Sequence, residues 1–314
     1  MRAAVIAGAV LLVCAELPAQ EAPVIRGRTD LVHFGVTVTD RQGNAVSGLT
    51  ADAFEIVEND TRQTIASFAA GTETVRDLHV GVMFDSSESM VGAIDAARTA
   101  AIRFLNRLPE AVDMTLVDFA DDVRVSLFSQ EDFPQLVERI RGGKVKGQTA
   151  LYDAFTMYLT GARDQQGRHV LAVFTDGGNS TGSTRYSDLI ALARASQVTV
   201  YIVGLLEHQS ASMRNELELR MRRIAEETGG RAIFPYSLKQ IDGAYDGIIE
   251  EIRAQYSVGY VSTDLRQDGR WRPVQVRLVR PEHRNLRIRT RAGYYAPVGE
   301  QGSGTGDRPR GDRK

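Results

Sequence analysis

Cysteine is almost missing from this chain of 314 residues, since Cys14 is the only one. It lies in the apolar stretch AAVIAGAVLLVC, which follows Arg2 and precedes the polar segment ELPAQEAP. A charged start, a short apolar core and a small residue at Ala19 predict a secretory signal peptide over residues 1–20, cleaved after Ala19 or Gln20. The mature protein would then hold no cysteine, which excludes disulfides, thiol chemistry and cysteine-ligated metals.

A membrane-spanning run and an excess of one charge are also missing. The N-terminal apolar stretch is too short to cross a bilayer comfortably, so we favour export over anchoring, with no transmembrane segment after cleavage. We expect a secreted, periplasmic or cell-envelope protein. The formal net charge of -2 gives no overall drive toward nucleic acid or anionic membrane.

The sequence has the composition of an ordinary globular protein, with 43% hydrophobic and 25% charged residues. Its length allows one large domain and a smaller one. The tail over residues 299–314 is rich in glycine and charge, which predicts disorder there.

Strand signals occur near both ends of the chain. Within residues 25–70, LVHFGVTVT alternates apolar and polar positions, and AFEIVEND and QTIASFA predict two more strands. Within residues 256–296, the stretches QYSVGYVS, RPVQVRLV and NLRIRTRAGYY predict strands without helices between them. The N-terminal segment is too small to be stable alone, so we expect the two flanks to pair in one β-sandwich module.

Between the flanks, buried strands alternate with helices. LHVGVMFD, HVLAVFTD and VTVYIVGLL are nearly continuous apolar runs, which are typical of parallel strands covered on both faces. Helical patterns between and after these strands include 131–141, 211–227 and 238–254. This alternation predicts an α/β domain over residues 77–255, with a doubly wound, mostly parallel sheet.

Three loops at the carboxyl edge of this sheet carry oxygen-bearing side chains. Asp85, Ser87 and Ser89 follow the first buried strand, Thr149 precedes a predicted helix, and Asp176 ends the strand HVLAVFTD. Ligands of open α/β sheets bind at this edge. Such a donor set suits Mg²⁺ or Mn²⁺, whereas the absence of cysteine and histidine from these loops argues against zinc.

The Asp-x-Ser-x-Ser segment alone has another interpretation, because Asp and Ser also favour the N-terminal caps of helices. The other two loops favour the metal site, since each lies at the corresponding edge of a strand or helix. An incomplete protein shell would leave a coordination position for an acidic group from a partner.

The segments FDSSES, GQTALYDA and FTDGGN resemble the metal-ion-dependent adhesion site of von Willebrand factor A and integrin I domains. This resemblance implies that Ser87 and Ser89 ligate the cation directly, and that Asp85 and Asp176 do so largely through water. It implies that Thr149 ligates directly or through water, depending on conformational state.

The resemblance covers roughly residues 77–255, and the flanks are similar to those of bacterial secreted VWFA-related proteins. It implies a protein-binding module, not an enzyme, which engages a carboxylate of a protein partner through the cation. The analogy with integrin I domains also implies movement of the last helix on binding. Two alternatives stay open: a Mg²⁺-assisted hydrolase with Glu88 as the base, and a structural protein whose metal only ties loops together.

Several other features are assigned structural roles. We expect the arginines between residues 266 and 291 to line the solvent side of exposed strands, with no nucleic-acid partner. Asp118 and the pair Asp121-Asp122 indicate a strand end and a tight hairpin. His169 and His208 have no obvious Ser or Cys partner by position, so a hydrolase triad is not supported.

Overall fold

The computed structural model describes residues 31–75, 77–162, 167–207 and 209–299. The predicted signal peptide, His208 and residues 300–314 of the predicted tail lie outside the described residues. Within these ranges, no helix combines the length and the apolar character needed to cross a membrane.

A six-stranded sheet forms the centre of the molecule, in the order β10-β9-β8-β5-β6-β7. Its strands are β5 (Leu78–Asp85), β6 (Asp113–Phe119), β7 (Val123–Ser129), β8 (Arg168–Thr175), β9 (Thr199–Gly204) and β10 (Arg231–Ile233). Neighbouring strands are parallel except for β6 and β7, which form an antiparallel hairpin. The doubly wound, mostly parallel α/β fold predicted from the alternating pattern is therefore confirmed.

Helices cover both faces of this sheet, because its strands carry apolar side chains on both sides. The helices are α1 (Ile94–Asn106), α2 (Phe133–Gly142), α3 (Leu151–Gly161), α4 (Tyr186–Ala195), α5 (Ala211–Glu227) and α6 (Leu238–Ala254). On one face, α1, α2 and α6 bury a core that includes Phe104, Phe174 and Ile248. On the other face, α3, α4 and α5 bury a core that includes Phe155 and Met221.

The predicted end of the long amphipathic helix is confirmed. Helix α5 ends at Glu227, and Gly229 follows with a φ of 76°. This left-handed conformation suits glycine, and it turns the chain out of the helix.

The chain flanks form a β-sandwich. Its strands are β1 (Leu31–Thr39), β2 (Phe54–Glu58), β3 (Thr61–Gln63), β4 (Ile65–Ala69), β11 (Tyr256–Val261), β12 (Trp271–Leu278), β13 (Arg287–Arg289) and β14 (Gly293–Tyr295). One sheet has the order β13-β1-β11-β4, and the other has the order β14-β12-β2-β3. Phe34, Ile56, Tyr256 and Tyr260 belong to the core between them. Each sheet thus combines strands from both flanks, as the fold class predicted.

The C-terminal flank differs from its predicted pattern in one respect. The stretch NLRIRTRAGYY forms two short strands in opposite sheets, β13 beside β1 and β14 beside β12. The crossing point is Arg291, whose Nη2 donates to the carbonyl of His33 at 2.7 Å. Alternation of side chains describes each half of this stretch, but it does not reveal where the chain changes sheets.

The expectation that the flank arginines all face solvent is wrong for three of them. Arg272 is only 3% exposed and pairs with Asp264 at 3.2 Å and with Asp268 at 2.9 Å. Arg291 is buried, and Arg289 pairs with the buried Glu251 of α6. Carboxylates pair with Arg272 and Arg289, and a backbone carbonyl accepts from Arg291, which offsets the cost of withdrawing these charges from water.

Candidate metal centre

Strand pairing brings two of the three predicted loops together. β5 and β8 are parallel neighbours in the register Phe84↔Phe174, so Asp85 and Thr175 end their strands at the same edge of the sheet. Asp176 follows Thr175 and therefore lies at the same edge. The third loop lies above β6, where the N–H of Ala150 donates to the carbonyl of Ala120 at 2.9 Å.

The carboxylate of Asp85 is the centre of a buried hydrogen-bond network. Its Oδ1 accepts from the Ser87 hydroxyl at 2.6 Å and from the Ser87 N–H at 3.0 Å. Its Oδ2 accepts from the Thr175 hydroxyl at 2.6 Å. The Ser87 and Ser89 Oγ atoms lie 3.0 Å apart, so the network extends to the exposed end of the loop at Ser89.

Burial disfavours the charged form of this carboxylate. Asp85 has no exposed surface, and burial raises its pKa from the ordinary 3.8 to about 6, although the hydrogen bonds from Ser87 and Thr175 act in the opposite direction. The nearby negative charge of Asp176 raises the pKa further. A cation beside Asp85 and Asp176 would offset both the burial of Asp85 and the repulsion between the two negative charges.

Thr149 and Asp176 approach each other across Gly178. A Cβ atom at Gly178 would lie 3.4 Å from Asp176 Oδ1 and 4.0 Å from Thr149 Oγ1. Both side chains are buried, and the Gly178 N–H donates to Asp176 Oδ1 at 3.2 Å. The side chains of Thr149 and Asp176 therefore border the same space beside Gly178.

The Thr149 loop is fixed by residues that the sequence pattern did not single out. The Thr149 N–H donates to Ser180 Oγ at 3.0 Å, and the Tyr152 N–H donates to Asn179 Oδ1 at 2.9 Å. Asp121 accepts from the Gln148 N–H at 2.7 Å. The polar residues after FTDGG indicate a loop that contains Asn179 and Ser180. They do not indicate which backbone N–H groups these two side chains bind, because those groups lie about 30 residues earlier in the chain.

The predicted hairpin is present at Asp121-Asp122, between β6 and β7, where the Ala120 N–H donates to the Asp122 carbonyl. Asp118 lies within β6 and accepts from the Ser86 hydroxyl at 2.7 Å. Asp118 and Asp121 thus each accept a hydrogen bond from a loop of the candidate site, in addition to their roles at the strand end and in the hairpin.

The cap interpretation of the first loop lacks its defining contact. Ser87 precedes the 3-10 helix Glu88–Met90, but its side chain makes no capping hydrogen bond. Glu88 is exposed at this position. Within the part of the chain that the structure describes, no group of three or more His, Cys, Asp or Glu side chains is placed to hold a metal. A cation here would therefore depend on hydroxyl oxygens as well as on carboxylates.

The family model for the von Willebrand factor type A domain matches residues 79–245, which include all three loops. The chain belongs to this family. VWA domains commonly serve as adhesion and protein-interaction modules, and they often bind a divalent metal. No curated protein sequence matches the chain.

Several solved structures are similar to this chain at low sequence identity. A von Willebrand factor type A protein from Catenulispora acidiphila has a TM-score of 0.49 at 12% identity, covering 85% of this chain and 74% of its own. An aerotolerance-related membrane protein from Bacteroides fragilis has a TM-score of 0.44 at 19% identity, covering 56% and 98%. The pilus adhesin SpaC from Lactobacillus rhamnosus GG has a TM-score of 0.47 at 10% identity, covering 80% and 49%.

Proposed function

We propose that this protein is an exported binding module that engages an acidic group of a protein partner through a divalent cation, Mg²⁺ or Mn²⁺. The residues that would hold the cation are Asp85, Ser87, Ser89, Thr149 and Asp176. The observation that carries this proposal is the buried Asp85 carboxylate, which lies beside a second carboxylate and is surrounded by hydroxyl groups.

The donor set fits a hard cation. Every candidate side chain offers oxygen, and Mg²⁺ keeps several waters when few protein carboxylates are present. The bound cation would act as a Lewis acid that attracts a partner's carboxylate. Asp85 would hold the Ser87 hydroxyl in place, and Thr149 and Asp176 would supply oxygens from the other side of the loop cluster.

Binding of a macromolecule is supported by the position of the site. Ser89 and Glu88 are exposed at the rim, whereas Asp85, Ser87, Thr149 and Asp176 are buried below them. A side chain of the partner could thus reach the cation at the carboxyl edge of the parallel strands. Membership of the VWA family also supports a non-enzymatic binding role.

Export is supported by the N-terminal pattern of a charged residue, an apolar core and Ala19. The lack of cysteine after residue 14 is consistent with this, because the fold needs no redox environment of its own. Sequencing of the mature N-terminus should find Gln20 or Glu21 first, and a mature protein that begins at Met1 would contradict export by signal cleavage.

The proposed function is tested by affinity capture from the native envelope fraction, with immobilised protein in Mg²⁺ or in EDTA. We expect a protein that is retained in Mg²⁺ and released by EDTA. Thr149→Ala should lose this partner, and Thr160→Ala, which alters an exposed threonine of α3, should retain it. Retention that is insensitive to EDTA, or equal in the two variants, would argue against binding through the cation.

A further inference from the structure

The central sheet ends at a long strand with a free edge. Among the described residues, β7 pairs only with β6. It has seven residues, whereas the other edge strands in the described ranges, β3, β4, β10, β13 and β14, have three to five. A free strand edge presents unpaired backbone N–H and C=O groups that can accept a further strand.

Most of the usual protections of a strand edge are absent from β7. Its sequence, VRVSLFS, has no proline, and Arg124 is its only charged residue. Its register with β6 runs without a bulge from Val123 to Ser129. Short length, charge, proline or a bulge normally prevents strand addition.

Apolar side chains are exposed along the same strand. Val125 is 45% exposed and Leu127 is 60% exposed. They alternate on the face that carries Val123, which packs with the core under α3. On α3 itself, Met157 is also exposed. The free edge is therefore bordered by apolar surface, which favours a partner strand over water.

We propose that β7 pairs antiparallel with β7 of a second copy of this chain, about a two-fold axis beside Ser126. In this register Val125 of one copy lies opposite Leu127 of the other, which makes two apolar cross-strand pairs. Arg124 lies opposite Phe128, so the two arginines do not face each other. The strand is therefore self-complementary, as a two-fold interface requires.

The arrangement joins two six-stranded sheets into one. The two-fold axis reverses strand direction, so the carboxyl edges of the parallel strands in the two copies point in opposite directions. The dimer would thus present its two candidate metal centres at opposite ends. One strand pair with a few exposed side chains buries less area than a standard interface of about 1,600 Å², so we expect reversible, concentration-dependent association.

The first test is sedimentation velocity of the full chain over a range of concentrations. We expect a shift from monomer to dimer with rising concentration. Leu127→Lys places a charge opposite Val125 and should weaken dimerisation at least tenfold. Leu219→Lys, which alters a more exposed leucine on α5, should leave it unchanged. Melting curves establish that both variants are folded.

The second test traps the register. Ser126→Cys places two thiols across the axis, within reach of a disulfide, because paired Cα atoms in an antiparallel sheet lie about 4.5 to 5.5 Å apart. The substitution is made in a Cys14→Ser background, because Cys14 is the other cysteine of the chain and could also form a disulfide. Mild oxidation should then give a covalent dimer that is absent from the Cys14→Ser chain with Ser126 unsubstituted. A chain that stays monomeric, a dimer unaffected by Leu127→Lys, or an edge that binds only a different protein would each overturn the proposal.

Discussion

Asp85 and Thr175 end neighbouring strands and are joined by a hydrogen bond of 2.6 Å from the Thr175 hydroxyl to Asp85 Oδ2. Ninety residues separate them in sequence. The Thr175 hydroxyl also accepts from the Gly177 N–H at 3.0 Å, so it links the strand end to the loop that carries Asp176.

Thr175→Val should therefore destabilise the fold. The substitution conserves shape but leaves one oxygen of a buried carboxylate without its donor, which costs about 1 to 3 kcal/mol of unfolding free energy. Chemical denaturation in EDTA measures this loss. Thr160→Val at an exposed position is the control and should change the unfolding free energy by less than about 0.5 kcal/mol. Equal stabilities of the two variants would mean that the Asp85 network is not stabilised by Thr175.

The pKa of Asp85 predicts a pH dependence. Because burial raises its pKa in the folded state to about 6, its protonated form stabilises the fold below the ordinary pKa of 3.8, and this contribution is lost as pH rises through about 6. A cation that binds the carboxylate reverses the loss. Melting curves in Mg²⁺ and in EDTA should thus differ most above pH 6 and converge near pH 4.5. A Mg²⁺ effect of the same size at both ends of this range would contradict the role of Asp85.

Asp121 should support cation binding without touching the cation. Its carboxylate holds the Gln148 N–H at 2.7 Å, next to Thr149. Asp121→Ala should weaken Mg²⁺ binding about fivefold, since one exposed hydrogen bond contributes about 1 kcal/mol. Asp122→Ala is the matched control at the neighbouring exposed position and should bind Mg²⁺ as the unsubstituted chain does. Calorimetric titration compares the two variants. Equal Mg²⁺ affinities would show that the Asp121 hydrogen bond does not contribute to cation binding.

The last helix is anchored to the sandwich at Glu251. This carboxylate is 1% exposed and pairs with Arg231 of β10 at 2.8 Å and with Arg289 of β13. Only Gln255 separates α6 from β11, a strand with neighbours on both sides. Displacement of α6 along its axis would therefore also strain the sandwich. Movement of this helix on binding stays a prediction from the integrin analogy.

Glu251→Gln should cost about 3 kcal/mol of unfolding free energy, because it removes the buried negative charge with which two arginines pair. Glu250→Gln, one residue earlier and exposed, is the control and should be nearly neutral. Chemical denaturation measures both variants. A neutral Glu251→Gln would indicate that water already satisfies the arginines.

Most of the fold follows from local patterns in the sequence. Buried strands such as LHVGVMFD carry apolar residues on both faces, and the amphipathic stripe of α1 shows the side it buries, so periodicity predicts both elements. The sheet change at Arg291 and the burial of Arg272 depend on partners distant in sequence, which periodicity does not contain. Domain boundaries and the ligand roles of the five site residues remain predictions.

The candidate site shows the same division. Asp85, Ser87 and Asp176 were predicted to lie together because they follow strands that end at one edge. The sequence pattern does not reveal Asn179, Ser180 and Asp121 as supporting residues, because each accepts from a backbone N–H about 30 residues away, in the Thr149 loop or at the start of α3. Short polar side chains near loops are too common for such contacts to be inferred from type alone.

The proposed cation centre is tested most directly by calorimetric titration of Mg²⁺ into the unsubstituted protein and into Asp85→Ala at pH 7.5, with melting curves of both. Mg²⁺ should bind the unsubstituted protein and stabilise it, by about 2.7 kcal/mol at a hundredfold excess over the dissociation constant. Asp85→Ala should stay folded and bind Mg²⁺ at least tenfold more weakly. Unchanged Mg²⁺ affinity in a folded Asp85→Ala protein would contradict a cation centre built on Asp85.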